Sequence, residues 1–103
     1  MIRHTVFFRL KHPHGSIAEA DFLARAMKLG PAIPDVRNFK CVRQVSNNSE
    51  FDWGLLMDLA DQAAYDRYDA HPVHRMFVAE RWQREVEAFV EIDYLVGDEP
   101  GEA

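Results

Sequence analysis

The chain has 103 residues, 48% apolar and 28% charged, an ordinary balance for a single soluble globular domain. Its formal charge of −5 offers no electrostatic attraction to nucleic acid or to an anionic membrane surface. One cysteine, Cys41, excludes an internal disulfide and a cysteine-only metal site; no apolar run is long enough to span a bilayer and no leader pattern opens the chain, so a cytoplasmic domain is expected.

Ile2 to Leu10 alternates. Ile2, His4, Val6, Phe8 and Leu10 fall on one side, and Arg3, Thr5, Phe7 and Arg9 on the other, which predicts a strand with His4 on its apolar face. A Pro- and Gly-marked loop at 11–15 leads to Ser16, which has capping-box spacing to Glu19. The helix that follows carries Ile17, Phe22, Leu23, Ala26 and Met27 as its apolar stripe, and Gly30-Pro31 is expected to stop it. A second strand is expected over Val36–Val45. Ser46-Asn47-Asn48-Ser49 reads as a turn, because these side chains bond their own backbone. A third strand places Phe51, Trp53, Leu55, Met57 and Leu59 on one face. Asp61 caps a short helix holding Ala64, Tyr65 and Tyr68. Pro72 suits the first turn of another helix, whose stripe is read as Val78, Trp82, Val86 and Phe89. Ile92, Tyr94 and Val96 alternate as a fourth strand. A domain over 1–97 and a flexible polar tail over 98–103 complete the expectation.

The order is βαββαβ, the ferredoxin-like arrangement of an α+β domain. One sheet face packs on the helices. The other would lie bare and apolar, and its simplest cover is a second copy of the chain in a two-fold homodimer.

Three histidines and a tyrosine are the candidate chemistry. His74 lies on the apolar stripe, His71 one turn before it, His4 on the buried side of the first strand, and Tyr68 one turn before His71. An imidazole titrates near neutral pH and a phenol can donate to a developing oxyanion. In an apolar pocket, His74 and Tyr68 with His4 could remove a proton beside a carbonyl and hold the enolate. The competing reading is that these are core side chains satisfied by hydrogen bonds. A three-histidine metal site from His4, His71 and His74 is a weaker reading, since no acidic residue is grouped with them along the chain; no metal and no cofactor are expected. Trp53, Phe8, Phe77 and Trp82 read as core or dimer face; a planar ligand would be expected to meet Trp53, Phe8, His71 and Phe77. Asp58, Asp61, Asp66 and Asp69 read as a solvated face, and Cys41 as an apolar filler.

The opening Ile2-Arg3-His4-Thr5-Val6-Phe7-Phe8-Arg9-Leu10, the segment from Tyr65 to His74 with its Tyr-x-x-Tyr-x-x-His-Pro-x-His pattern, and the closing Asp93-Tyr94 resemble the stress-responsive dimeric α/β barrel (Dabb) family. The resemblance spans residues 2–96 and implies a ferredoxin-like monomer that dimerises into an α/β barrel. Some plant members are cofactor-independent polyketide cyclases. In those the residue matching His74 acts as acid and base, the one matching Tyr68 assists, and the one matching His4 lies at the same pocket. A further pocket histidine of the cyclases aligns with Trp53 here. Some members bind a divalent cation, with no ligand set that carries over. The expected partners are a second copy and a small apolar carbonyl-bearing molecule. The alternatives are a non-enzymatic stress-related assembly module, in which the histidines only tie helix to sheet, and a monooxygenase-like barrel. The latter rests on shared architecture alone.

Overall fold

The computed structural model describes residues 1–97, and the expected tail over 98–103 lies outside them. Strand β1 (Ile2–Leu10) is followed by α1 (Ile17–Met27), a short α2 (Leu29–Ala32), β2 (Arg37–Arg43), β3 (Trp53–Leu59), α3 (Gln62–Ala70) and α4 (Pro72–Phe77). The chain continues through a π-helical turn (Val78–Trp82) and α5 (Gln83–Glu85) into β4 (Val86–Leu95). The four strands run antiparallel in the order β2-β3-β1-β4, so the first strand is central, as the ferredoxin-like reading requires.

The expected caps form. Ser16 Oγ accepts from the Glu19 N–H at 3.1 Å, and Asp61 Oδ1 from the Ala64 N–H at 2.8 Å. The Glu19 carboxylate reaches one residue past the expected partner and accepts from the Gly15 N–H at 3.0 Å.

Several boundaries differ from expectation. Gly30-Pro31 does not stop the helix; both residues fall inside α2, where Pro31 occupies the first turn and needs no N–H partner. The second strand is shorter than expected at both ends, and the third begins at Trp53 rather than Phe51. The helical stripe does not extend through Val86 and Phe89. Helix ends at Glu85, and both residues lie on β4, paired with Leu10 and Phe8. Ala88, Val90, Ile92 and Tyr94 alternate there, and β-branched and aromatic residues at period two favour a strand over a helix.

Directly paired residues of an antiparallel sheet share a face. His4, Val6, Phe8 and Leu10 of β1 therefore lie on the helix side with Glu91, Phe89 and Asp93 of β4. Phe8 is fully buried, and with Phe22, Phe77 and Trp82 it forms a ring cluster with centroids 5.0–6.3 Å apart. The opposite face carries Thr5, Phe7, Leu56, Val90, Ile92 and Tyr94. Ile92 is 55% exposed and Tyr94 47%. Gly54 lets the Phe7 ring lie across β3: a β-carbon there would meet Phe7 Cε1 at 2.5 Å. Asp58 is not on a solvated face. It is buried and held by Arg3 Nε at 2.8 Å and Asn38 Nδ2 at 2.9 Å. Among the described residues no helix is long and apolar enough to cross a membrane.

Candidate functional site

The break between α3 and α4 positions the site. His71 is the hinge residue: its Nδ1 accepts the Val73 N–H at 3.1 Å and caps α4, with Pro72 at the first helical position. This leaves Tyr68 in the last turn of α3 and His74 in the first turn of α4, facing each other with ring centroids 4.5 Å apart. His4 approaches Tyr68 from β1 at 5.8 Å between centroids.

A cavity of about 420 Å³ opens between the sheet and these helices. Its walls are largely apolar, from Val6, Leu29, Leu55, Phe77, Val78 and Trp82. One end is polar and presents His4, Tyr65, Tyr68, His74 and Glu91. Its volume lies in the roughly 300–1,000 Å³ range of small-molecule sites.

The hydrogen bonds set the imidazole tautomers. His74 Nδ1 lies 3.0 Å from the Asp69 backbone carbonyl. A carbonyl only accepts, so Nδ1 carries a hydrogen and the neutral ring keeps its lone pair on Nε2. His4 Nδ1 lies 2.6 Å from Asp93 Oδ1, which also accepts, so Nε2 is again the basic nitrogen. Tyr68 is only 4% exposed, yet its hydroxyl has no hydrogen-bond partner among the described residues. Burial first, then the charges of Asp69, Glu91 and Asp93, push its pKa above the usual tyrosine value and keep it a donor. Tyr65 is shifted the same way, by burial and then by Asp93 and Glu91.

The structure thus brings His4, Tyr68, His74 and Phe77 to one cavity. It does not bring His71, Phe8 or Trp53 there. His71 Nδ1 is spent on the helix cap, Phe8 lies in the core beneath the cavity, and Trp53 donates from Nε1 to Glu19 at 3.3 Å. The three-histidine metal grouping does not form, because the His71 cap keeps that ring out of the cavity. Instead His4 gathers with two acidic side chains of β4, Glu91 and Asp93, and with Tyr65. Nothing local in the sequence joins these residues to the site. Their spacing, alternate positions on one strand, was the available signal; the β1–β4 register that places them beside His4 was not. Cys41 packs against the core, and burial raises its thiol pKa, so it is a poor nucleophile.

Residues 2–96 match the family model of the stress responsive A/B barrel domain. A Dabb family protein of ferredoxin-like fold from Mesorhizobium loti is 49% identical, with a TM-score of 0.90 over 92% of this chain and 95% of that one. A dimeric ferredoxin-like protein of unknown function from Thermobifida fusca is 22% identical, with a TM-score of 0.76 over 92% of this chain and 90% of that one. The hydroxynitrile lyase of Passiflora edulis is 18% identical, with a TM-score of 0.79 over 95% of this chain and 94% of that one; at this identity the likeness is one of fold. No curated protein sequence matches the chain. The expected fold and the two halves of the signature therefore meet in one assignment: the chain belongs to the stress-responsive A/B barrel (Dabb) family.

Proposed function

We propose that the chain is a homodimer in which each protomer binds an apolar, carbonyl-bearing small molecule and catalyses its enolisation, or a cyclisation through the enolate, without a cofactor. The observation that carries this reading is the pairing of two basic Nε2 atoms with one unpartnered phenol at the polar end of an apolar cavity. His74 Nε2 takes the proton from the carbon beside the carbonyl. The Tyr68 O–H donates to the oxygen as negative charge develops there. His4, its Nδ1 held by Asp93, supplies a second base for returning or relaying the proton. The apolar walls exclude water, which strengthens these interactions.

The dimer reading rests on the sheet face opposite the cavity. Phe7, Leu56, Val90, Ile92 and Tyr94 form an apolar surface there, and the Thermobifida fusca protein of this fold is described as dimeric. A cytoplasmic location belongs to the same proposal.

A second reading has its own observation. Tyr65 on α3 bonds both His4 and Asp93, so these residues also tie helix to sheet, as an assembly module without chemistry would use them. Deuterium exchange beside the carbonyl of a panel of aryl ketones separates the two. Acid/base chemistry predicts exchange faster than in an imidazole blank, abolished by His74→Gln. Neither binding nor accelerated exchange across the panel would leave the assembly reading standing.

A further inference from the structure

The residues around His4 hold more negative charge than their protons can bridge. Tyr65 Oη lies 2.8 Å from Asp93 Oδ2, 3.1 Å from Glu91 Oε1 and 3.1 Å from His4 Nδ1. His4 Nδ1 lies 2.6 Å from Asp93 Oδ1 and 3.7 Å from Glu91 Oε1. Tyr65 has one proton and two carboxylates within reach. At any moment one carboxylate oxygen therefore faces the phenol oxygen with no hydrogen between them. Glu91 and Asp93 project from alternate positions on the same face of β4, so their charges repel at short range. The His4 side chain, 7% exposed, is fixed in the middle of the group.

We propose that His4, Glu91 and Asp93, with the Tyr65 hydroxyl as a further oxygen, bind one divalent first-row transition cation at the polar end of the cavity. A single dication balances the two carboxylates and removes the unshared contact. Bonds of about 2.0–2.2 Å to nitrogen and oxygen place neighbouring donors about 3.0–3.4 Å apart around one ion. The observed separations of 2.6–3.7 Å bracket that spacing, so movements of a few tenths of an ångström suffice. One imidazole nitrogen among carboxylate oxygens selects the Mn²⁺-to-Zn²⁺ range over Ca²⁺ or Mg²⁺, which favour oxygen-only sets. Among the described residues no other three His, Cys, Asp or Glu side chains converge in this way; His12 meets only Glu85, at 2.7 Å. On binding, the His4 hydrogen moves from Nδ1 to Nε2 so that Nδ1 can ligate, and His4 is a second base only in the metal-free chain; the cation site itself stands whether or not the cavity is catalytic.

The test is titration of the chelator-treated full chain with Mn²⁺, read by the paramagnetic resonance of free Mn²⁺, and then with Zn²⁺ as competitor. Saturable binding of one Mn²⁺ per chain, displaced by Zn²⁺, is expected. Glu91→Gln and Asp93→Asn, which keep side-chain size, should each weaken it about tenfold or more, and His12→Gln should leave it unchanged. Absence of saturable binding, affinity within about twofold of wild type in either carboxamide variant, or an equal loss in His12→Gln would overturn the proposal.

Discussion

Replacing Tyr68 with phenylalanine separates chemistry from stability. The side chain is buried, yet its hydroxyl makes no hydrogen bond within the described residues, so Tyr68→Phe removes an O–H without breaking a protein contact. An intramolecular hydrogen bond contributes about 0.5–1.5 kcal/mol net; with none to lose, stability should change by less than about 0.5 kcal/mol, or under about 4 °C in Tm. Tyr65→Phe is the contrast. It removes the hydroxyl that bonds Asp93 and Glu91 and leaves their carboxylates facing one another. Because both acids are partly open to solvent, about 1 kcal/mol is the expected cost, or about 4–8 °C. Both melts belong at one protein concentration, since a dimer's Tm depends on it. Activity should move the other way. Loss of a donor to a developing oxyanion lowers rates about 10²–10³-fold, so proton NMR of aryl-ketone deuterium exchange should show Tyr68→Phe nearly inactive at wild-type stability. A Tm loss in Tyr68→Phe matching that of Tyr65→Phe, or exchange at the wild-type rate, would refute the reasoning.

Three further outcomes are expected. His74→Ala should lower kcat far more than it raises KM in steady-state kinetics, because Nε2 acts in the transition state. The Arg3 hydrogen bond, with help from Asn38, holds the Asp58 carboxyl below the usual carboxylate range. A carboxyl depressed in the folded state stabilises fully above its unfolded value near pH 4 and loses that contribution as pH falls through the folded value, so urea melts of Asp58→Asn should show a flatter acid limb below about pH 4 than wild type. Ile92→Lys places a charge on the exposed sheet face; light scattering should show dimer in the wild type and monomer in the variant, with far-UV circular dichroism unchanged.

What the sequence made visible was local. Period-two alternation located β1 and most of β3, caps at Ser16 and Asp61 began two helices, and the His71-Pro72 step marked the restart that brings Tyr68 to His74. The second half of β4 is legible in Ile92 and Tyr94, but its first half reads as helix because Val86 and Phe89 fit a helical stripe begun at Val78, and the competing alternation of Ala88, Val90, Ile92 and Tyr94 starts only three residues after the helix ends. His71 looked like a site residue because its spacing to His74 is helical; an X-Pro junction makes it a cap instead. The acidic partners of His4 are 87 and 89 residues away along the chain, and only strand register joins them. No periodicity within one element carries that information.

The account rests on His4 and His74 presenting unprotonated Nε2 atoms to one cavity beside the Tyr68 hydroxyl. Nitrogen-15 NMR of histidine-labelled, chelator-treated protein at neutral pH reads those tautomers directly. Both rings should show a hydrogen on Nδ1 and a bare Nε2, and both Nε2 signals should shift when a naphthol, as an enol mimic, enters the cavity. A hydrogen on Nε2 of His74, or signals that the naphthol leaves in place, would contradict it.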